Sequence, residues 1–374
     1  MQSPLRTRAW IDVRAPALRR NFRRVAEAMG PDPWVLPMVK ADAYGLGAPE
    51  VVRVLRAEGP AGWGVATVEE GVALRQGGAS EPIVVFTPAL PADFERVAAH
   101  DLEVAVSDPR LLDRLSAVGR ACGRPVGVHL EVDTGMGRAG VRPEQLDALA
   151  GALRPLRESD GLRWVGLFTH LHSADEAGGP GVGAQLEGLR SAARALEPPP
   201  SVRVHAANSA GAFRLGAEAG GARPGIFLYG GRVGPDQPEP EAVVAVRARV
   251  VRVVDAAPGA TLGYGATHRA DGPERWATLA IGYGDGLPRV LGNRGEALIA
   301  GRRVPIIGRV SMDVTVVNIS GVPGVEAGNA ATLVGRDGGE ELLLDEVAEA
   351  AGTISYEILT GLAPRLPRIW TEAE

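Results

Sequence analysis

The chain has 374 residues, of which 45% are hydrophobic and 23% charged, and its formal net charge at pH 7 is −5. The length predicts two domains with a large core, and the charge gives no reason to expect a nucleic acid or an anionic membrane as partner. No run of about 18 apolar residues predicts a membrane span, residues 1–6 lack the apolar part of a secretory signal, and Cys122, the single cysteine, excludes an intrachain disulfide. We therefore expect a cytoplasmic protein, with Cys122 as a small core residue rather than a nucleophile.

Short apolar runs alternate with amphipathic stretches over the first two-thirds of the chain. Amphipathic stretches such as residues 68–76 and 183–196 have the spacing of helices. Eight runs are typical of strands: residues 34–39, 62–66, 82–86, 102–106, 126–132, 162–169, 202–206 and 225–228. The alternation predicts an α/β fold, a parallel (β/α)8 TIM-type barrel over residues 1–240, rather than an open sheet.

The sequence pattern changes at residues 235–240, where prolines and acidic residues predict a linker. Long β-rich runs follow at 243–254, 277–283, 297–317 and 331–334, and only 342–351 looks helical. We expect a second, mainly β domain over residues 241–374. Residues 9–13 precede the barrel pattern and are a candidate strand of that domain.

Lys40 is the only lysine in the chain, beside 39 arginines. Arginine stays protonated in proteins, whereas a lysine amine can lose its proton and attack a carbonyl. Lys40 directly follows the first predicted strand, at the end of the barrel where active sites are built. This position favours a Schiff base to a carbonyl substrate or to pyridoxal phosphate (PLP) over a lysine that escaped replacement by chance.

Other polar residues also follow predicted strands. They are Asp133 and Arg138 after the fifth, His170 at the end of the sixth, Asn208 and Ser209 after the seventh, and Arg223 and Gly225 at the eighth. Phosphate sites in barrels commonly form after the seventh and eighth strands, where Ser209 supplies a hydroxyl and a helix start. We expect one mouth that holds an amine, a phosphate cradle, two arginines and a histidine. No metal-ligand spacing is present.

The tyrosines are few and occur in unusual surroundings. All five stand in glycine-rich or motif-like contexts rather than in apolar runs: Tyr44, Tyr229, Tyr264, Tyr283 and Tyr356. A single tyrosine is more often a core residue whose hydroxyl is satisfied. The shared context of all five favours a functional role for the set.

The chain resembles the bacterial alanine racemases, the barrel-type PLP enzymes, from about Arg8 to Trp370. The matching motifs occur in the family's order: VKADAYG at 39–45, DTGMGR at 133–138, TH at 169–170, HAANS at 205–209, RPGI at 223–226, YGAT at 264–267, GYGDG at 282–286, SMD at 311–313 and YE at 356–357. The resemblance implies a PLP-dependent amino-acid racemase with two bases. Lys40 would carry the cofactor and serve one face of the substrate, and Tyr264 of the other subunit would serve the opposite face.

The resemblance also implies roles for the remaining residues. Tyr44, Ser209, Gly225, Ile226 and Tyr356 match positions that hold the phosphate, and Asn208 lies among the cofactor-binding positions. Arg223 would face the pyridine nitrogen with support from His205, and His170 would pack on the ring. Arg138 would lie near the ring hydroxyl and the substrate carboxylate. Met312 would bind the substrate carboxylate through its backbone N–H. Tyr264, Tyr283, Met312 and Asp313 would come from the partner subunit of a homodimer with shared active sites.

Two chemical expectations follow from these roles. A tyrosine is a poor base unless nearby cations stabilise its phenolate, and we expect His170 and Arg223 to supply that charge to Tyr264. An arginine at the pyridine nitrogen should leave this nitrogen unprotonated and suppress side reactions such as transamination.

Three residues depart from the family's pattern. Glu131 stands where many members have a carbamylated lysine, and we hypothesise that its carboxylate forms an ion pair with Arg138. His172 and Leu287 replace a small apolar residue and an aromatic residue, and both positions bear on substrate size. Tyr356 favours alanine, because serine-preferring relatives tend to lose this tyrosine.

The resemblance predicts the interconversion of L-alanine and D-alanine, a small-molecule reaction that supplies D-alanine for peptidoglycan. A second hypothesis keeps the scaffold and changes the substrate to serine or to several amino acids in secondary metabolism. A third hypothesis is a PLP-binding regulatory protein without turnover. Such proteins usually lack the β domain, whereas Tyr264 and the motif at 311–313 are present here.

Overall fold

A computed structural model describes residues 7–372, so the expectation for residues 1–6 lies outside the described part of the chain. The strands are β1 (Ala9–Arg14), β2 (Trp63–Val65), β3 (Ile83–Val85), β4 (Glu103–Val106), β5 (Val126–Glu131), β6 (Leu162–Phe168), β7 (Arg203–His205), β8 (Val244–Ala256), β9 (Thr261–Leu262), β10 (His268–Arg269), β11 (Glu274–Leu279), β12 (Glu296–Ile299), β13 (Arg302–Ile307), β14 (Thr315–Asn318), β15 (Ala330–Asp337), β16 (Glu340–Leu342) and β17 (Arg368–Thr371).

Helices connect these strands. The α-helices are α1 (Ala15–Ala28), α2 (Lys40–Gly45), α3 (Ala48–Leu55), α4 (Val68–Gln76), α5 (Phe94–Ala99), α6 (Leu112–Ala121), α7 (Ala150–Leu153), α8 (Pro155–Glu158), α9 (Val182–Leu196), α10 (Ser209–Leu215), α11 (Leu344–Ala351) and α12 (Ser355–Thr360). Short 3-10 helices cover Arg56–Glu58, Pro91–Asp93, Pro109–Leu111, Pro143–Gln145, Gly216–Ala219, Ile226–Tyr229, Tyr264–Ala266, Tyr283–Asp285 and Arg289–Leu291. Within residues 7–372 no helix is long and apolar enough to cross a membrane.

The first unit is the expected barrel. Strands β2 to β7 form a parallel sheet in chain order, with helices between successive strands. Single backbone bridges close the ring, joining Val35 to Ala222, Met38 to Gly64, and Ala207 to Ala222. The carboxyl ends of all these segments therefore meet at one mouth, where active sites of this fold are built.

Two of the eight predicted strands differ in the structure. Residues 34–39 contribute bridges rather than a ladder, because Pro37 has no N–H to donate to a neighbouring strand. The predicted strand at 225–228 is wrong: Ile226–Tyr229 is a buried 3-10 helix, and the eighth position of the ring is taken by Ala222. Backbone pairing reaches the carbonyl of Pro224, which accepts from the N–H of Met38 at 2.8 Å. A short buried apolar run such as the one that follows cannot be assigned to strand or helix by its pattern alone.

The second unit is a large β-sheet. Its nine strands in the described chain run in the order β16-β15-β12-β13-β14-β11-β8-β1-β17, and β15 also pairs with β8. Strand β1 pairs antiparallel with β8 and parallel with β17, so both ends of the described chain enter this sheet. Helix α11 overlaps the predicted helix, whereas α12, which carries Tyr356, was not predicted.

The two units share one continuous hydrophobic core. The connection at residues 230–243 contains no helix or strand, and the fully buried Asn21 of α1 fastens its end. The side chain of Asn21 donates to the carbonyl of Glu241 at 2.9 Å and accepts from the N–H of Glu241 at 2.8 Å. Cys122 is exposed after the last turn of α6, so its expected core position is wrong.

Candidate active site

Lys40 begins a short segment with an unusual backbone. The next four residues, Ala41, Asp42, Ala43 and Tyr44, have φ angles between 51° and 57°, which makes one left-handed helical turn of L-residues. Such a conformation costs about 1–2 kcal/mol per residue, so surrounding contacts must hold it. Asp42 supplies one of them, because its Oδ1 accepts from the N–H of Ala48 at 2.7 Å.

The turn lies at the mouth of the barrel beside a cavity of about 140 Å³. The structure brings most of the predicted site residues to its walls, although they come from distant parts of the sequence. The lining residues are Met38, Lys40, Tyr44, Phe86, Glu131, Arg138, Phe168, His170, Asn208, Ser209, Arg223, Gly225, Ile226 and Tyr356.

The environment of Lys40 favours its neutral form. Burial, and next the positive charge of Arg138, lower the pKa of the Lys40 amine, while the charge of Glu70 acts in the opposite direction. An amine with a lowered pKa has a larger deprotonated fraction near neutrality, and only the deprotonated form attacks a carbonyl. The position and the electrostatics of Lys40 both suit a Schiff-base lysine.

Hydroxyl groups and close backbone mark one end of the cavity. The Oγ of Ser209 accepts from the N–H of Gly225 at 2.8 Å, and a Cβ at Gly225 would lie 2.1 Å from the hydroxyl oxygen of Tyr44. Burial raises the pKa of Tyr44 well above its ordinary value and that of Tyr356 to about 12, so both phenols stay neutral donors at physiological pH. Asn208 caps α10, with its Oδ1 accepting from the N–H of Gly211 at 2.8 Å.

Arg223 is buried at the centre of the site without an acidic partner among the described residues. Its Nη2 donates to the carbonyl of Thr169 at 2.8 Å, and its guanidinium lies over the rings of Phe86 and Phe168. Burial lowers the pKa of Arg223 to about 10, which still leaves the group charged near neutrality. The cavity therefore contains a fixed positive charge held by carbonyl oxygens and aromatic faces.

A chain of buried side chains leads from Arg223 through the barrel. Its Nη1 lies 2.7 Å from Nδ1 of His205, His205 Nε2 lies 3.2 Å from Nδ1 of His129, and His129 Nε2 lies 2.9 Å from Oε2 of Glu103. The guanidinium can only donate and the carboxylate can only accept. The two ends therefore assign the Nε2–H tautomer to both histidines. At the far end, Arg163 donates to Oε1 of Glu103 at 2.9 Å.

His170 lies in the cavity as expected, but it is not a cation. Burial, and next the charge of Arg223, lower the pKa of His170 to about 3. The ring is therefore neutral at physiological pH, and its expected contribution of positive charge to a tyrosine phenolate is wrong. His205 is neutral for the same reasons, since burial and then Arg223 lower its pKa well below the ordinary value.

Glu131 does not form the hypothesised ion pair. Within the described part of the chain, no ion pair joins Glu131 to Arg138. Oε2 of Glu131 instead accepts from the hydroxyl of Ser107 at 2.8 Å. Burial raises the pKa of Glu131, while the charges of Arg223 and then Arg138 act in the opposite direction. The hypothesis is wrong because the carboxylate of the buried Glu131 is engaged by the hydroxyl of Ser107, while Arg138 is exposed.

Four predicted site residues stay outside this cavity. Tyr264, Tyr283 and Met312 lie on the second unit with 71%, 41% and 54% of their surface exposed, and Asp313 is nearby, 2.9 Å from Arg365. The N–H of Tyr283 donates to the carbonyl of Ser311 at 3.0 Å, so these residues share adjoining loops. In a single chain they line no part of the cavity around Lys40.

The two residues linked to substrate size have different surroundings. His172 lines an open space of about 820 Å³ that also touches His170 and Tyr356, and its Nδ1 lies 2.7 Å from the hydroxyl of Ser173. It therefore lies near the mouth of the cavity. Leu287 is 6% exposed and packs in the hydrophobic core, so it does not line the cavity.

Sequence reasoning missed several residues of this site. Glu70, Glu103, Ser107 and His129 were not predicted as site residues. The Thr-x-x-Glu pattern at 67–70 does signal a capping box, which Thr67 and Glu70 form at the start of α4. No local pattern indicated that Glu103 and His129 would meet, because they lie on different strands.

Comparison with known proteins matches both units. Sequence models of the alanine racemase N-terminal and C-terminal domains match residues 13–233 and 243–370. The chain is 40% identical to the alanine racemase of Symbiobacterium thermophilum, with 96% of each chain covered, and 38% identical to a catabolic alanine racemase of Agrobacterium fabrum, with 95% of this chain and 90% of the relative covered.

Solved structures agree with the sequence matches. The alanine racemase of a D-cycloserine-producing Streptomyces lavendulae superposes with a TM-score of 0.93 at 30% identity, covering 100% of this chain and 99% of that one. The enzyme of Bartonella henselae with covalently bound pyridoxal phosphate superposes with a TM-score of 0.88 at 28% identity, covering 98% and 100%. Given these matches over both units, the chain belongs to the alanine racemase family.

Proposed function

We propose that the protein is an alanine racemase, which interconverts L-alanine and D-alanine with PLP attached to Lys40. The observation that carries the proposal is the cavity that surrounds the only lysine of a chain similar to alanine racemases over nearly its whole length. The family is PLP-dependent, and Lys40 has the lowered pKa that an attacking amine needs.

The lining residues fit PLP. The hydroxyls of Tyr44, Tyr356 and Ser209 suit a phosphate, and a glycine at 225 leaves the space that a Cβ would take from Tyr44. Asn208 and Ile226 complete this end of the cavity. Arg223 is ready to donate to the pyridine nitrogen, because no acidic side chain neutralises it in the described chain. Arg138 and His170 line the walls beside Lys40, where the ring and the substrate carboxylate would lie.

Racemisation removes the proton from one face of the substrate Cα and returns a proton to the other face. Bound PLP supplies the electron sink that makes this proton acidic. In our proposal Lys40 moves the proton on one face and Tyr264 of the partner subunit moves it on the other. Because His170 is neutral, the charges available to stabilise the phenolate of Tyr264 are those of Arg223 and Arg138.

A homodimer with shared active sites follows, because the two proposed bases come from different subunits. Tyr264, Tyr283, Met312 and Asp313 lie outside the cavity of their own chain, and exposed tyrosine and methionine side chains are enriched at protein interfaces. Met312 would bind the substrate carboxylate through its backbone N–H from the partner's side. We place the enzyme in the cytoplasm, where D-alanine would serve peptidoglycan.

The decisive experiment is reductive trapping of the purified protein with borohydride, followed by peptide mass mapping. We expect a pyridoxyl adduct on Lys40 alone, and an adduct elsewhere would overturn the proposal. A chiral assay over alanine, serine and other amino acids tests the substrate. Faster turnover of serine would favour the hypothesis of a serine or broad-specificity racemase, to which His172 at the mouth points. Trapping of PLP without any turnover would favour the hypothesis of a regulatory protein.

A further inference from the structure

Glu70 joins the catalytic lysine's segment to the neighbouring strand end. Its Oε1 accepts from the N–H of Ala41 at 2.7 Å, and its Oε2 accepts from the N–H of Ala66 at 2.7 Å and from that of Thr67 at 3.3 Å. Ala41 follows Lys40 and is the first residue of the left-handed turn, whereas Ala66 follows β2. One carboxylate thus connects the turn after Lys40 with the end of β2, two segments that lie apart in the sequence.

Helix capping explains only one of these three contacts, the bond from the N–H of Thr67. Glu70 is the acidic member of the capping box of α4, in which the hydroxyl of Thr67 accepts from the N–H of Glu70 at 3.3 Å. That role occupies Oε2, which lies at the start of the same helix. Oε1 is not needed for the cap and instead binds the strained turn that begins after Lys40.

We propose that Glu70 is a positioning residue for Lys40, in that its carboxylate fixes the left-handed turn from which the lysine side chain enters the cavity. The inference rests on the proposed function, in which Lys40 carries the cofactor and acts as a base. A left-handed turn of four L-residues has no intrinsic stability, so a charge-assisted hydrogen bond at its first N–H is well placed to hold it.

The charge of Glu70 also acts on the lysine. Arg138 lowers the pKa of Lys40 and Glu70 raises it, so the two groups oppose each other across the amine. The other titratable groups that share the cavity are Tyr44, Glu131, His170, Arg223 and Tyr356. Glu70 therefore combines a geometric effect on the turn with an electrostatic effect on the amine.

The test compares Glu70→Gln with two control variants. A Gln side chain has one acceptor oxygen, so it cannot satisfy the N–H groups of both Ala41 and Ala66, and its NH2 group faces a donor. Glu69→Gln changes a 64% exposed neighbour on the same helix that pairs with Arg96. Thr67→Val removes the hydroxyl of the capping box but leaves both oxygens of Glu70 in place.

Three measurements on the full-length protein separate positioning from general destabilisation. In Glu70→Gln we expect amide exchange in the peptide around Ala41 to rise about tenfold or more. We expect kcat for alanine to fall about tenfold while KM stays within about twofold, because the base is misplaced rather than substrate binding lost. Since Lys40 is the only lysine, lysine labelled with 13C at Cε gives one signal, whose titration after cofactor removal should move to lower pH.

The controls and the outcomes are equally specific. Glu69→Gln and Thr67→Val should leave kcat and the Lys40 titration unchanged. Unchanged exchange at Ala41 in Glu70→Gln would overturn the proposal, even if activity fell. If Glu70→Gln does not fold, Glu70→Asp keeps the charge but is too short to span both segments, and it should still release Ala41. A wild-type protein without alanine racemase activity would refute the proposed function, while the exchange at Ala41 would still decide the role of Glu70.

Discussion

At the scale of single residues, Glu131 shows how burial decides the state of a side chain. Among the described residues Glu131 makes no ion pair with Arg138 or Arg223, although both charges act on it. Its one hydrogen-bond donor among the bonds described is the uncharged hydroxyl of Ser107. The pKa of Glu131 is raised because burial outweighs these charges. A folded state with a raised carboxyl pKa favours the protonated form, so the stability that this group contributes is present at low pH and is lost as pH rises through the folded pKa.

Glu131→Gln should therefore gain stability relative to the wild type as pH rises from about 4 to about 7.5, because Gln does not ionise. Urea unfolding midpoints at both ends of this range measure the difference, and any change in the hydrogen bond to Ser107 cancels between them. Glu187→Gln is a control of opposite sign. The bond from Arg194 lowers the pKa of Glu187, so that variant should lose stability over the same range. Parallel behaviour of the two variants would contradict our assignment of Glu131.

At the scale of elements, the site depends on short segments whose backbone is shaped by close contacts. The turn after Lys40, the helix start at Ser209 and the segment at Gly225 are each a few residues long, and they meet because the barrel brings strand ends together. Gly225 has no Cβ, which leaves space for the hydroxyl of Tyr44. Adding a single methyl group at position 225 should therefore disturb the phosphate end of the proposed PLP site.

Gly225→Ala should weaken PLP binding by about tenfold or more, because the new Cβ would lie 2.1 Å from the Tyr44 hydroxyl oxygen and would displace it. Equilibrium dialysis against free PLP, followed by absorbance, measures the affinity. Gly183→Ala is the matched control. It lies in α9, a Cβ there meets nothing within 4 Å, and helix propensity predicts a gain of up to about 1 kcal/mol. Equal PLP affinity in both variants would refute the role of Gly225.

The sequence predicted some strands and helices correctly and missed others. The pattern of apolar runs predicted β2 to β7 and the span of α4, because a regular alternation records burial on a repeating unit. It failed at residues 225–228, where a wholly buried run carries no periodicity, and at α12. The cavity residues after each strand were predicted because the barrel itself collects strand ends. Glu70, Glu103 and His129 were missed because their contacts join residues far apart in sequence.

At the scale of the whole molecule, a polar chain crosses the core of the barrel. Arg223 is linked through His205 and His129 to Glu103, which pairs with the half-exposed Arg163 near the strand starts. Every link is a hydrogen bond in a fixed direction, so the negative charge of Glu103 sets the tautomer of both histidines. The orientation of the active-site arginine therefore depends on a carboxylate at the opposite end of the barrel.

Glu103→Gln should destabilise the protein by about 1.5–3 kcal/mol at pH 7.5, because buried hydrogen bonds to a charged group are lost. Burial acts to raise the pKa of Glu103, but the hydrogen bonds from His129 and Arg163 and the charge of Arg163 outweigh it, so the pKa is lowered. The contribution of Glu103 is therefore present above its ordinary pKa and lost as pH falls through the folded pKa. The deficit of the variant in urea unfolding should shrink towards pH 4, and a deficit independent of pH would contradict this account.

The proposed sharing of active sites makes a prediction about the assembled molecule. Lys40→Ala and Tyr264→Phe should each abolish most racemase activity, yet their coexpression should recover about one quarter of the wild-type rate. Random pairing makes about half of the dimers mixed, and each mixed dimer has one site with an intact Lys40 facing an intact Tyr264. If each chain completed its own site, every site would carry one defect and coexpression would recover nothing. A chiral assay on the whole dimer population, purified without selection for mixed dimers, measures the outcome.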